Sequence, residues 1–350
     1  MEGMQETAAA SMRQAEALCA SAFAMDAHFD LAMDLDDRRE QGARCVYTDR
    51  HDALMCAGGW NCVVSSLFIH SYQLPEMGLR KALDQISALL AEAEEQSDKI
   101  ALCTSMREVD AANAAGKLGV LLSFEGLDPI GNDLSLLRVF YRLGVRAAGL
   151  AWSRRNYAAD GCAFRSVREG RKGGLTAFGV AALEEAERLG MLIDVSHLND
   201  EGLEDVFRYA KKPFIASHSN CRELVPSMRN LTDDQIRRIA DRGGVIGMNG
   251  CSAFVSADAR ADVGPRELCD HIDHIVRLVG DDFVGLGLDC CDRLADFHVS
   301  PPSIPSYDTV KDHGQLPLLV AELLARGYSE PSVAKILGGN FRRVYEEVVG

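Results

Sequence analysis

The sequence predicts a (β/α)8 barrel of the TIM type. Three observations carry that expectation. Short apolar runs alternate with amphipathic stretches along almost the whole chain. The runs are apolar throughout rather than at every second residue, which marks strands covered on both faces. The chain has 350 residues, enough for one decorated barrel, since a closed α/β barrel takes about 250. An open doubly wound sheet is the rival arrangement.

Residues 1–22 read as an Ala-rich helical extension, and residues 23–350 as a single barrel domain with extra C-terminal helices. Strands are expected at 23–28 (FAMDAH), 62–69 (CVVSSLFI), 118–124 (LGVLLSF), 145–151 (VRAAGLA), 191–195 (MLIDV), 213–217 (PFIAS), 244–248 (GVIGM) and 283–288 (FVGLGL). Helical patterns lie between them at 75–97, 133–143, 176–189, 199–210, 232–242 and 264–279. Thr232-Asp233 and Asn199-Asp200 are N-cap signals for two of these, and Gly190 and Gly243 stand where C-caps belong. A further apolar run at 100–104 (IALCT) reads as a ninth strand outside the main sheet. Segments 31–60, 153–175, 250–263 and 289–314 read as irregular, and such loops are where barrels build active sites. The tail, 315–348, reads as two or three helices packed outside the barrel.

Net charge is −15. Acidity of that size argues against nucleic acid or an anionic membrane as partner. Eleven cysteines are scattered with no CxxC pair, as expected for reduced thiols in a cytosolic protein. Without zinc-finger spacing, any metal must be held mainly by His and carboxylate. The first 24 residues carry Glu2, Glu6 and Glu16 and no basic region, unlike a secretory signal. No stretch of about 20 apolar residues suits a membrane span.

The polar residues at the strand ends form a pattern. The first strand ends in Asp26-Ala27-His28-Phe29-Asp30, the third in Glu125, the fifth in His197, the sixth in His218 and the eighth in Asp289. Histidines and acids directly after buried strands are costly unless paired. Five strands of eight doing this at one end make a constellation. In His28-x-Asp30 both side chains lie on one face of an extended segment, so both reach one ion. Such donors suit Zn²⁺, and also Mn²⁺, Fe²⁺ or Co²⁺. A single carboxylate can bridge two ions about 3.5–4 Å apart. Read singly, each of these residues is equally well a hydrogen-bonded structural group or a helix cap; the joint pattern is what points to metal.

Over roughly residues 23–348 the chain resembles the membrane dipeptidase (renal dipeptidase) family. The matching stretches are DAHFDL, LLSFEG, YRLGVRAAGLAW with Asn156 beyond, GLTAFGVAALEEAERLGMLIDVSH, KPFIASHSN with MRN downstream, and VGLGLD. The resemblance implies a (β/α)8 barrel with two zinc ions. His28, Asp30 and Glu125 would hold one, and Glu125, His197 and His218 the other, with Glu125 bridging. Asp289 would be the proton shuttle for a metal-bridging hydroxide, and Arg229 would bind the substrate's terminal carboxylate. Dipeptides, including those with a D-residue on the C-terminal side, would be the substrates, and a homodimer is implied.

The chain departs from that pattern at Trp152, where the best-known dipeptidases carry a His held to bind the substrate carbonyl. Indole has one N–H donor and no basic nitrogen. Arg154, Arg155 and Asn156 are the nearby substitutes, or Trp152 shapes a different pocket. Cys291 stands where the family tends to show an acid, and Cys290 and Cys291 read as space-filling residues rather than soft ligands. His298 and His313 lie in the loop after the eighth strand, within reach of the site mouth. His271 and His274 are expected on the outer face of a helix, and His51 and His70 lack a strand-end pattern. A different metal-dependent amidohydrolase, acting on a lactam, lactone or cyclic amide, and a metal-binding pseudoenzyme are the competing readings.

Overall fold

The computed structural model describes residues 2–164, 170–258, 262–297 and 306–350. Among these residues eight strands occur: β1 (Met25–Phe29), β2 (Cys62–Leu67), β3 (Ile100–Leu102), β4 (Leu118–Glu125), β5 (Val145–Gly149), β6 (Leu192–Asp194), β7 (Ile246–Met248) and β8 (Val284–Leu286). Every residue of β1, β2 and β4 is buried. That is why these runs are apolar without alternation: both faces are covered.

All pairings between these strands are parallel. β1 lies between β2 and β8, β2 pairs β4, β4 pairs β5, β5 pairs β6, and β7 pairs β8. The ring closes through 213–217, where a strand is expected. Here the structure differs. This segment makes single-residue bridges, Asp194 to Ile215 on one side and Ala216 to Ile246 on the other. Pro213 cannot donate a ladder bond, but Ile215 donates to the Ile193 carbonyl at 2.9 Å and Ala216 to Val245 at 3.0 Å. The result is a closed eight-membered barrel.

β3 is not outside the sheet. It pairs with β4 from Ile100–Leu118 to Leu102–Val120. β4 is long, and β5 joins its edge only at Leu122. The first turn of that edge is therefore open, and β3 fills it. Segment 31–60, expected as irregular, is largely helical, with helices at Leu31–Glu40 and Ala53–Gly58. Leu31, Ala32 and Leu35 are buried, and Asp34 and Arg38 pair across one turn at 2.6 Å.

The helix expectations at 176–189, 199–210, 232–242 and 264–279 match helices at Ala177–Leu189, Asp200–Tyr209, Asp233–Asp241 and Pro265–Val279. Thr232 and Gln235 form a reciprocal capping box, and Asn199 caps through the Gly202 N–H. The N-terminal helix Glu2–Ser21 runs along the helix Leu316–Ala325. The last helix, Asn340–Val348, is not simply outside. Its stripe Phe341, Val344, Tyr345 and Val348 clusters with Met25, Cys62, Leu121, Leu192, Ile215 and Val245. It closes the N-terminal mouth of the barrel. The opposite mouth, where all strands end, is left for the polar residues.

Candidate metal centre and active site

Parallel strands in register deliver their C-terminal residues to one plane. His28 lies within β1 and Asp30 directly after it, Glu125 ends β4, and His197, His218 and Asp289 follow their segments. Glu125 Oε1 lies 3.0 Å from His197 Nε2, 3.7 Å from His28 Nε2 and 3.8 Å from His218 Nε2. The facing nitrogens of His197 and His218 are 2.8 Å apart. The rings of His28 and His218 stack at 3.7 Å. Asp289 Oδ1 lies 3.8 Å from His28 Nε2. Ligand atoms of His28, Glu125 and His218 form one tight group, and those of His28, Asp30 and Asp289 a second.

His197 and Asp289 both have positive φ, 69° and 55°. Left-handed backbone is uncommon for residues other than glycine and collects at functional sites. In both cases it turns the side chain back over the barrel mouth immediately after a strand. The mouth is narrow: a Cβ on Gly287 would lie 1.8 Å from the Ser217 carbonyl.

Two buried carboxylates brace the histidine carriers. Asp194 Oδ1 accepts the N–H groups of Ser196 and Ser217, each at 2.9 Å, so it ties the fifth carrier segment to the sixth. Ser217 Oγ donates to Asp194 Oδ2 and lies 2.7 Å from His218 Nδ1. A carboxylate only accepts, so the serine proton goes to Asp194 and the serine oxygen accepts from His218 Nδ1–H. That fixes the tautomer and leaves the Nε2 lone pair facing the centre. Asp26 repeats the device: Oδ1 accepts from His28 N–H and Leu288 N–H, joining β1 to the segment that carries Asp289. Its Oδ2 pairs with His313 at 2.8 Å. His313 is therefore buried beneath the site rather than at its mouth. His197 Nδ1 is held by Ser153 Oγ at 2.7 Å, and Asp30 accepts from Ser66 Oγ.

The electrostatics fit bound cations. Burial, then repulsion from Asp30 and Asp289, drives the Glu125 carboxyl well above its ordinary range. Burial, then the Arg229 charge for His197 and the His28 and Arg229 charges for His218, holds both well below the ordinary imidazole range. Both are thus neutral and able to ligate. His28 Nε2 is buried and makes no hydrogen bond among the described residues. Three carboxylates crowded in a buried site call for positive charge that Arg229 alone does not supply.

Arg229 is 3% exposed and sits over the Phe254 ring. Its Nη2 donates to the His218 carbonyl at 3.0 Å and Nη1 to Ser219 Oγ at 3.3 Å, while Nε has no hydrogen bond among the described residues. Trp152 stands 5.7 Å from the His197 ring and packs against Phe68 and Phe164. The guanidinium of Arg154 lies over its ring.

Asn156 is engaged mainly by its own loop. Its Nδ2 donates to the Leu150 carbonyl, and its Oδ1 accepts from Ala158 and Ala159. It organises the loop after β5. Its neighbours are engaged too: Arg154 bonds Asp128, Ser71 and Ile69, and Arg155 bonds Asp160 and Arg171. His271, expected on an outer helix face, is 1% exposed. It accepts from Cys221 N–H and lies 3.1 Å from the Val255 carbonyl. His274 pairs with Asp233, His51 with Asp34, and His70 caps the turn Ser71–Gln73. His298 lies outside the described residues. Cys290 donates to the Val310 carbonyl, and Cys291 to Asp289 Oδ1 at 3.4 Å.

The strand-end pattern missed Asn249. Its Nδ2 donates to Asp289 Oδ2 at 2.9 Å, and its Oδ1 accepts from Cys251 N–H. It directly follows the apolar run ending at Met248, so the same rule applied to that run finds it. Asp26 and Asp194 carry the complementary signal, an acid inside a buried strand two or three residues before a strand-end histidine.

A profile of the membrane dipeptidase family, peptidase family M19, matches residues 12–349. The chain belongs to that family. The membrane dipeptidase family is one of metallopeptidases, so the enzyme class of the chain is peptide-bond hydrolase and its centre is one for divalent metal. Relatives agree with the match. A Klebsiella pneumoniae protein described only as an uncharacterized protein in the pqqA 5' region is 33% identical over 267 residues, 75% of this chain and 94% of that one. Human dipeptidase 3 is 30% identical over 347 residues, 96% of this chain and 67% of that one. Among solved structures, a Rhodobacter sphaeroides metallo peptidase liganded with a phosphinate mimic of L-Ala-D-Ala superposes with a TM-score of 0.81 at 28% identity. It covers 93% of this chain and 99% of that one. Among the described residues no helix is long and apolar enough to cross a membrane.

Proposed function

We propose that this chain holds two zinc ions and hydrolyses dipeptides, including those with a D-residue on the C-terminal side. One observation carries the reading: the Nε2 atoms of His28, His197 and His218 converge within 3.0–3.8 Å of one Glu125 oxygen, with Asp30 and Asp289 grouped around His28. Glu125, His28 and Asp30 would hold one ion, and Glu125, His197 and His218 the other. When bound, a pair of divalent ions lowers the pKa of water toward neutrality and polarises a carbonyl.

The chain's own residues supply the remainder. Asp289, steadied by Asn249, takes the proton of the attacking water and returns it to the leaving amine. Arg229, with an N–H to spare beside the centre, pairs with the substrate's free carboxylate, which selects dipeptides over longer chains. The dipeptide mimic bound by the Rhodobacter sphaeroides relative supports this substrate class. The eleven unpaired cysteines support a reducing, cytoplasmic location.

Metal analysis and a substrate panel test the reading. Zinc-reconstituted protein is expected to hold two ions per chain and to cleave L-Ala-D-Ala and L-Ala-L-Ala. Fewer than one ion per chain sinks the two-metal centre. Metal without dipeptide turnover, but with turnover of a lactam or cyclic amide, transfers the site to another amidohydrolase chemistry. Asp289→Asn is expected to lose turnover by a factor on the order of 10²–10⁴ while keeping its metal.

A further inference from the structure

From the aromatic rings beside the centre, we infer that the side-chain subsite for the C-terminal residue of the substrate is built for aliphatic and aromatic groups, with Phe164 as its principal wall. The inference rests on the dipeptidase reading and extends it to substrate class.

Two fixed points bound the subsite. One is the metal centre at His197; the other is the Arg229 guanidinium. Covalent geometry does the rest. Between the scissile carbonyl carbon of a dipeptide and its terminal carboxylate stand only the amide nitrogen and the Cα of the C-terminal residue. The side chain on that Cα must leave the backbone between the two fixed points. Phe164 links the two points through ring contacts. Its ring centroid lies 6.2 Å from the His197 ring and 5.9 Å from the Phe254 ring, which it stacks at 24°. Phe254 in turn lies under the Arg229 guanidinium, 5.5 Å from ring centroid to Cζ. Trp152 meets Phe164 edge to face at 5.4 Å and continues the wall to Phe68 at 5.2 Å.

Among the described residues, the polar group that touches this wall is tied elsewhere. Arg154 covers one side of Trp152 and is tied to Asp128 and the Ile69 carbonyl. A charged side chain placed against these rings would lose hydration against aromatic faces, whereas an apolar one gains contact. Trp152 thereby has a place in the site as a rigid wall, not as a substitute for an imidazole.

The test uses metal-loaded protein and the series L-Ala-D-Xaa with Xaa = Gly, Ala, Leu, Phe, Asp and Lys. The quantity read is kcat/KM relative to Xaa = Gly. Leu and Phe are expected to exceed Gly by at least about tenfold, the discrimination an apolar pocket gives for added methylenes, and Asp and Lys to fall below Ala. Phe164→Ala is expected to collapse the Leu-to-Gly ratio, while Phe164→Leu restores part of it. A flat series, a preference for Asp or Lys, or a ratio unchanged in Phe164→Ala overturns the inference. Should no dipeptide be cleaved, the dipeptidase reading fails by itself. The subsite is then read from calorimetric binding of N-acetylglycine against N-acetyl-D-leucine, where equal affinities overturn it.

Discussion

Asp194→Asn separates a brace from a ligand more sharply than any other single change. The side chain makes no contact that a substrate needs, yet its two oxygens hold three hydrogen bonds. If the new amide turns its oxygen toward the Ser196 and Ser217 N–H groups, its NH₂ faces Ser217 Oγ. The serine proton is then released toward His218 Nδ1, and the histidine is driven to carry its proton on Nε2, where the metal lone pair belongs. If the amide turns the other way, its NH₂ confronts two backbone donors in a buried site. The first arrangement costs the metal-binding tautomer, the second two backbone hydrogen bonds. Loss of an outer partner of a metal-bound histidine weakens metal affinity by about 10–100-fold, which is about 1.4–2.7 kcal/mol. The assay is competitive zinc titration of apo-protein against a chromophoric chelator, with turnover measured at saturating metal. The weaker of the two binding steps should move by that factor, and saturating zinc should recover much of the turnover. Unchanged affinity for both ions would show that the Asp194–Ser217–His218 chain does not set the His218 tautomer.

Other outcomes follow from the same geometry. Asn249→Ala removes the 2.9 Å bond to Asp289; kcat should fall by roughly tenfold or more, the scale of a lost buried hydrogen bond to a charged group, with zinc content unchanged, read by steady-state kinetics beside metal analysis. His271, pushed down to about 4 by burial, stays neutral in the fold. Its contribution to stability is full above an unfolded value near 6.5 and is lost as pH falls toward 4. Urea unfolding should therefore show wild type losing up to about 3 kcal/mol relative to His271→Gln between pH 7 and pH 4; parallel pH profiles would contradict it. Gly126 has φ +92°, and a Cβ there would lie 2.9 Å from the Trp152 backbone nitrogen. Gly126→Ala should cost about 2 kcal/mol or more in unfolding free energy and reduce turnover with it, because Glu125 is the preceding residue.

The strand-end cluster was legible in the sequence for a simple reason. A charged or imidazole side chain directly after a buried strand is expensive, and parallel strands bring all such positions to one end. His28, Asp30, Glu125, His197, His218 and Asp289 follow from that rule alone. Asn249 obeys the same rule but is uncharged, so it made no comparable cost visible. Asn156 matched by position, yet position does not say which way an amide turns; three backbone bonds leave it one N–H. His271 lay on an amphipathic helix whose inner and outer faces the helical period alone did not separate at that residue.

The linear pattern by itself determined the alternation of buried strands and helices, the strand-end cluster of His and acids, and the acidic, cysteine-scattered character of the chain, because burial and period act locally. Only the tertiary structure decided how the ring closes at 213–217 by single bridges, where β3 finds an open edge, and that the last helix seals the barrel's lower mouth. It also decided the braces Asp26 and Asp194 and the aromatic wall from Phe68 to Phe254. Those depend on contacts between residues far apart in sequence, whose distances no local propensity encodes.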